Sequence, residues 1–312
     1  MTGRRIFITG VAGFIGSALE ARLLQLGDEV VGIDNYLSPH KTRQVTLNAR
    51  SGDVRQPEFL LTRAKGCDAI VHLAAAINID MVNVLPEVGW DINVRGTMNV
   101  LEVSRRLDLP VVFASSSEVY GTWQSGQYPD GISEAHTLDG QSPYAASKIA
   151  GDRMCHAWAK TYGLRVSALR SFNTFGPGQS DDGYGGVIAK FVRCALAGRP
   201  ATIFGDGTQK RDWMWIDDAV DAYLLALDRP FPGPVNFGTG SSHSVNTLLE
   251  TVAGLVGIEK DCIHGSPRAG EVQELLCDNR MARSLGWTPK VGFEEGLRRY
   301  VHSAKAQETD SA

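Results

Sequence analysis

No stretch of the 312-residue chain approaches 18 consecutive apolar residues, so no membrane-spanning helix is expected. Neither sign of charge dominates. The 31 basic and 35 acidic residues leave a formal charge of −4, which provides no broad basic surface for nucleic acid or anionic lipid. Cysteine is sparse: there are five, at positions 67, 155, 194, 262 and 277, scattered and without a CxxC pair. That spacing supports neither a disulfide framework nor a zinc knuckle, and no metal site is predicted. The opening MTGRRIFITG runs from a short apolar stretch straight into glycine, unlike a signal peptide. A soluble protein of a reducing compartment is expected, cytoplasmic, with no nucleic-acid and no membrane partner.

What is present is a large apolar fraction, 43%, enough for the core of one large domain or two fused ones. RRIFITG, DEVVGID, CDAIVHLA, LPVVFAS and LRVSALRSF are nearly continuous apolar runs, the pattern of strands buried on both faces. Between them SALEARLLQLG, DINVRGTMNVLEVSRRL and SPYAASKIAGDRMCHAWAKTYG carry helical spacing. Alternating strands and helices predict right-handed βαβ units and a doubly wound parallel α/β sheet of the Rossmann type. After residue 172 the alternation stops. The sequence therefore divides into a dinucleotide-binding domain over 1–172 and a smaller α/β substrate lobe over 173–312, with a segment near 234–240 returning to the sheet. The tail AKAQETDSA has no apolar period and is expected to fray.

GVAGFIG places Gly10, Gly13 and Gly16 between the first strand and the first helix. Glycines here permit a tight turn, close approach to a pyrophosphate and close helix–strand packing, with the helix N-terminus facing the phosphates. Asp34 ends the second strand, where a carboxylate accepts from the adenosine ribose hydroxyls and repels a 2′-phosphate, favouring NAD over NADP. Capping a turn with Asn35 is its alternative role. Asp53, in SGDVR, suits the adenine amine or a surface turn.

SPYAASK puts Tyr144 and Lys148 four apart on one helix face. A phenol with a pKa near 10 is a poor base at neutral pH, and a nearby ammonium and a nicotinamide cation favour its phenolate. Such a tyrosine can take the proton of a substrate hydroxyl while hydride leaves the same carbon.

Taken together, these motifs resemble the extended short-chain dehydrogenase/reductase family, specifically the nucleotide-sugar epimerases and dehydratases, over nearly the whole chain. HLAA matches the family's fourth-strand motif, DINVRGT its NxxGT segment, SSSEVYG its serine-bearing strand end, and SFNTFGPG, FGDGTQKRDW and PRAGEV its substrate lobe. The resemblance implies cofactor contacts from Phe14, Ile15, Asn35, Val54, Leu73, Ala74, Ala75 and Asn93 besides the glycines, Asp34 and Asp53. It implies that Ser116 bonds the substrate's reacting oxygen, that Tyr144 is the base, and that Lys148 both lowers the phenol's pKa and holds the nicotinamide ribose. Asn173 is implied at the sugar-nucleotide phosphates, Phe204 beside the base, and Arg211 and Arg268 as a diphosphate clamp. The implied substrate is an NDP-hexose, a UDP- or dTDP-sugar, and the implied assembly a homodimer through helices around 91–107 and 143–162.

Ser116, Ser117 and Glu118 bear on the reaction. The family oxidises sugar C4 to a ketone transiently. A 4-epimerase then needs only rotation of the keto sugar, whereas a dehydratase needs a carboxylate to take the C5 proton and an acid to protonate the leaving hydroxyl. Glu118 falls where hexose 4,6-dehydratases carry that carboxylate, and strand alternation would put Ser116 and Glu118 on one side. Ser117 replaces the leaving-group acid of the dTDP-glucose type, but a serine there also resembles the GDP-mannose dehydratases and UDP-glucuronate decarboxylases and does not exclude elimination; Gly178 replaces the arginine of the decarboxylases. The expectation leans to a dehydratase, ahead of a 4-epimerase and then a decarboxylase. A glutamate satisfied by loop amides is the other role for Glu118. A silent NAD-sensing protein, or a reductase that releases its cofactor, are the rival classes.

Overall fold

In the computed structural model the described residues are 3–37, 49–77, 79–123, 129–180, 186–268 and 270–310. Residue 269 of PRAGEV and the last two residues of the tail lie outside them.

The strands in chain order are β1 Arg5–Thr9, β2 Glu29–Asp34, β3 Ala49–Ser51, β4 Ala69–His72, β5 Val111–Ala114, β6 Val166–Ser171, β7 Asn173–Phe175, β8 Ala201–Phe204, β9 Lys210–Trp215, β10 Gly233–Phe237, β11 Ser242–Ser244 and β12 Cys262–Gly265. The helices are α1 Phe14–Gln25, α2 Pro57–Ala64, α3 Ile79–Val84, α4 Pro86–Trp90, α5 Gly96–Leu107, α6 Pro143–Tyr162, α7 Val187–Leu196, α8 Ile216–Asp228, α9 Val245–Val256, α10 Arg280–Ser284 and α11 Phe293–Asp310.

Seven strands form one sheet in the order β10-β6-β5-β4-β1-β2-β3. Pairing from β3 through β6 is parallel throughout. Chain direction across the sheet reverses between β1 and β4, the switch point where ligands of such sheets bind beyond the carboxyl ends of the strands. Phe7, Ile8, Val31, Ile70, Val71, Val111 and Phe113 are buried, as the continuous apolar runs require of strands covered on both faces.

The chain divides into two compact units, and they interleave in sequence. The first comprises 1–119, 138–171 and 219–235; the second comprises 120–137, 172–218 and 236–312. A single cut after residue 172 is therefore too simple. The chain passes back into the first unit at Ala219, because the apolar face of α8 (Ala219, Ala222, Tyr223, Ala226) is fully buried there. The second unit is built on the three-stranded sheet β11-β9-β7 and the pair β12-β8. The tail also departs from expectation: α11 continues to Asp310. Alanine, lysine, glutamine and glutamate are good helix formers, so propensity extends the helix without an apolar stripe.

Candidate active site

The turn from β1 into α1 sets the first part of the site. Gly10 has φ +76°, and a Cβ there would stand 2.7 Å from the backbone nitrogen of Ala74. A Cβ at Gly16 would come within 2.2 Å of the Gly10 carbonyl oxygen, which forces glycine at that position too. Gly13 precedes α1, Phe14 and Ile15 begin it, no side chain caps it, and its first turn carries no acid. A helix N-terminus so prepared suits an anion.

Asp34 ends β2, and its carboxylate accepts from the Ala12 N–H at 3.1 Å and the Tyr36 N–H at 2.8 Å. It both caps a turn and fastens the glycine loop. Asp53 makes the bonds of a surface turn, the role the sequence left open beside the adenine contact. Its two oxygens accept from the Arg55 backbone and guanidinium and from the Asn35 amide, at 2.8–3.1 Å. Hydrogen bonding from Arg55 above all holds the carboxyl down to about 2. With its lone pairs taken by a partner two residues on, Asp53 secures its own loop, and Asn35 is drawn into the same bonds. Val54 is buried, its carbonyl accepting from Asn99 at 2.9 Å.

Leu73, Ala74 and Ala75 follow β4. The Leu73 N–H donates to the Thr9 carbonyl at 3.0 Å and the Ala74 N–H to the Thr9 hydroxyl at 3.3 Å. Asn93, implied as a cofactor contact, is buried and spends its amide internally. It accepts from the Ala76 N–H at 2.7 Å and donates to the Ala76 carbonyl at 3.0 Å and to Ser147 at 2.9 Å. It braces the loop after β4 against α6.

His72 lies at the centre of a network that sequence reasoning passed over. The Thr97 hydroxyl donates to the Asn93 carbonyl at 2.6 Å, so His72 Nε2, 3.0 Å away, must be the donor to Thr97. Nδ1 then accepts from Thr9 at 2.7 Å, and the ring is neutral. Burial first, and the Lys148 ammonium second, push its pKa down to about 3.

The catalytic candidates converge on one phenol. Tyr144 and Lys148 are buried on α6. Ser116 stands close enough to the Tyr144 phenol to lower its pKa, and the charge of Glu118 raises it. The route to this arrangement is not strand alternation. β5 ends at Ala114, and Ser117–Tyr120 form a 3₁₀ turn, begun where the Glu118 N–H donates to Ser116 Oγ at 3.2 Å. Ser117 is buried within that turn.

Burial pushes the Tyr144 phenol up to about 12, Ser116 pulls it down, and Glu118 raises it further. Lys148 Nζ lies 6.0 Å from the phenol ring centroid and donates to the Ala114 carbonyl at 2.9 Å. Burial has also lowered Lys148 itself, to about 8.

Asn173, Phe204, Arg211 and Arg268 lie in the second unit. Asn173 begins β7, and its Oδ1 is buried without a hydrogen-bond partner. Arg268 lies over the face of Phe204, 4.1 Å from the ring centroid. Arg211 is 3.8 Å from Glu271, and its Nη1 donates to the Lys210 carbonyl at 2.9 Å. A cavity of about 610 Å³ is lined by Phe204, Gln209, His264, Pro267, Glu271 and Gln273 among others. Gln209 and Glu271 were not singled out from the sequence; their proximity to Arg211 and Arg268 in FGDGTQKRDW and PRAGEV was the available signal.

With this geometry in place, comparison with known proteins is informative. The profile of the NAD dependent epimerase/dehydratase family matches residues 6–238. The UDP-glucose 4-epimerase of Mycolicibacterium smegmatis is 36% identical over 95% of this chain and 97% of its own length. The solved UDP-glucose 4-epimerase of Thermotoga maritima, with UDP-glucose, superposes with a TM-score of 0.92 at 31% identity, covering 97% of this chain and 99% of that one. A dTDP-glucose 4,6-dehydratase of Streptomyces venezuelae, solved with NAD, gives 0.88 at 30% identity, over 98% of each chain. The chain belongs to the NAD-dependent epimerase/dehydratase family of nucleotide-sugar enzymes. NAD is its cofactor, and the glycine turn, the uncapped helix and Asp34 fit that group.

Proposed function

We propose that the protein is an NDP-hexose 4-epimerase acting on a UDP-sugar. Bound NAD supplies the hydride acceptor and, when oxidised, a positive charge. Tyr144 takes the proton of the sugar C4 hydroxyl, Ser116 bonds the same oxygen, and Lys148 holds the nicotinamide ribose and the Ala114 end of β5. In the second unit Arg211 and Arg268 take the diphosphate and Asn173 contributes its amide.

The observation that carries the choice of epimerisation is the company Glu118 keeps. Elimination needs a second acid to protonate the departing hydroxyl, and Ser117, the neighbour in that role in dTDP-glucose dehydratases, is a buried hydroxyl in a 3₁₀ turn. Epimerisation needs none. This reverses the lean of the sequence alone. Elimination stays as the second reading because the charge of Glu118 does act on Tyr144.

Incubating the protein with UDP-glucose tests the choice. UDP-galactose of unchanged mass is expected; a product lighter by about 18 mass units, the loss of one water, would make it a dehydratase. A homodimer through the α5 and α6 surfaces belongs to the same proposal, supported by Trp90 and Met98, which are 53% and 39% exposed.

A further inference from the structure

Tyr144, Lys148 and Asp152 are spaced by four on α6 and share one face of it. Three consecutive residues at the end of β5 meet that face in turn. The Ala114 carbonyl accepts from Lys148 at 2.9 Å, Ser115 Oγ donates to Asp152 Oδ2 at 2.8 Å, and Ser116 lies near enough to Tyr144 to lower its pKa. Asp152 is in turn held by Arg170 of β6, whose Nε and Nη2 reach the two carboxylate oxygens at 2.9 and 2.8 Å. The side chains of this pair are only 3% and 4% exposed.

We propose that Asp152, fixed by Arg170, is a positioning residue that acts through Ser115 to set Ser116 against Tyr144. The proposal rests on the catalytic roles of Ser116 and Tyr144 given above. The physical reason is leverage. Past the last strand residue the chain has no ladder bonds, so the place of Ser116 is set by what its neighbours grip. Lys148 grips the residue before Ser115, and Asp152 grips Ser115 itself. Both grips come from the helix that carries Tyr144, so donor and phenol share one frame. Arg170 keeps the Asp152 carboxylate from turning, since an Arg–carboxylate fork fixes both oxygens. A buried ion pair is weak evidence for stability on its own account. One that spends an acceptor site on the residue beside Ser116 has a role in placement.

The experiment compares Ser115→Ala, Ser115→Thr and Asp152→Asn with wild type, using UDP-glucose as the probe. Ser115→Ala should lower kcat about tenfold with KM within about twofold, since misplacing a reacting group costs rate rather than affinity. Without Ser116's support the phenol ionises at higher pH, so the acid limb of the kcat profile should move upward. Ser115→Thr, which keeps the hydroxyl, should restore both. Asp152→Asn combined with Ser115→Ala should add little to either alone. If Asp152→Asn fails to fold, the neutral pair Asp152→Asn/Arg170→Gln takes its place in the same cycle. A Ser115→Ala enzyme with wild-type kcat and profile, or one that merely melts earlier with its profile unmoved, overturns the proposal. Should the wild type leave UDP-glucose unchanged, the functional reading fails by itself. The placement is then decided by a crystal structure of Ser115→Ala: Ser116 drawn away from Tyr144 supports it, and Ser116 still bonded there sinks it.

Discussion

The two units prepare their functional groups in opposite ways. In the first, Lys148 and Ser115 are buried and already bonded, to Ala114 and Asp152, and half-buried Ser116 stands close enough to Tyr144 to lower its pKa. In the second, the arginines proposed for the diphosphate rest against side chains of that same unit. Arg211 faces Glu271 at 3.8 Å, and Arg268 covers Phe204. Proton and hydride transfer tolerate little misplacement, so their groups are fixed before substrate arrives. Holding a diphosphate tolerates an exchange of partners, because a guanidinium fork loses one carboxylate and gains phosphate oxygens. The chemistry is preformed; the binding is traded.

Removing the phenol should give the largest effect and test whether the two units are separable. Tyr144→Phe is expected to lower kcat by about a thousandfold, within the range for loss of a general base. Binding of UDP, followed by calorimetry, should stay within about twofold. A parallel collapse of UDP affinity would break the comparison, because it would make the phenol part of the nucleotide's support.

The preformed half was also the more legible half. The β1–α1 glycines, Tyr144 and Lys148 carry fixed spacings, and the continuous apolar runs gave the parallel sheet its strands. What escaped notice depends on distant partners. Asp152 reads as an ordinary helical acid until β6 supplies Arg170. His72 reads as one more residue of an apolar strand until Thr9 and Thr97 flank it. Asp53 looked available to adenine because nothing in SGDVR says that Arg55 folds back on it. Glu118 was placed by strand alternation, yet β5 had already ended; a 3₁₀ turn delivers it instead. The interleaving of the units was hidden for a related reason. Helix α8 has the same apolar period whichever core it enters.

The buried network of the first unit should also make it the acid-sensitive part. His72 has its pKa pushed from 6.5 down to about 3, so between those values the unfolded chain binds a proton that the folded one refuses. Stability is then lost as pH falls through that window, by about 1.4 kcal/mol per pH unit from this ring. His72→Gln should be less stable at pH 7, by about 2 kcal/mol, for want of a fully matched hydrogen-bond network. Its stability should nevertheless fall less steeply between pH 6 and 4. Urea unfolding across that range reads both. An unchanged acid slope would show that some other group carries the sensitivity.

The smallest effect should come from the traded contact, and it sharpens the comparison most. Glu271 and Arg211 are only partly exposed, at 19% and 12% of their side-chain surface, but their closest approach is 3.8 Å, long for a hydrogen-bonded pair. Gln209 Nε2 also reaches Glu271, at 3.5 Å. A pair so loose contributes little, about 0–1 kcal/mol for ion pairs near the surface. Its carboxylate does stand close to where a diphosphate would meet Arg211, and like charges repel. Glu271→Gln keeps the shape and removes the charge. UDP should bind about two- to fivefold more tightly to that variant, read by calorimetry. If UDP instead bound more weakly, the carboxylate would itself be a ligand contact, and the second unit, like the first, would be built in advance around what it holds.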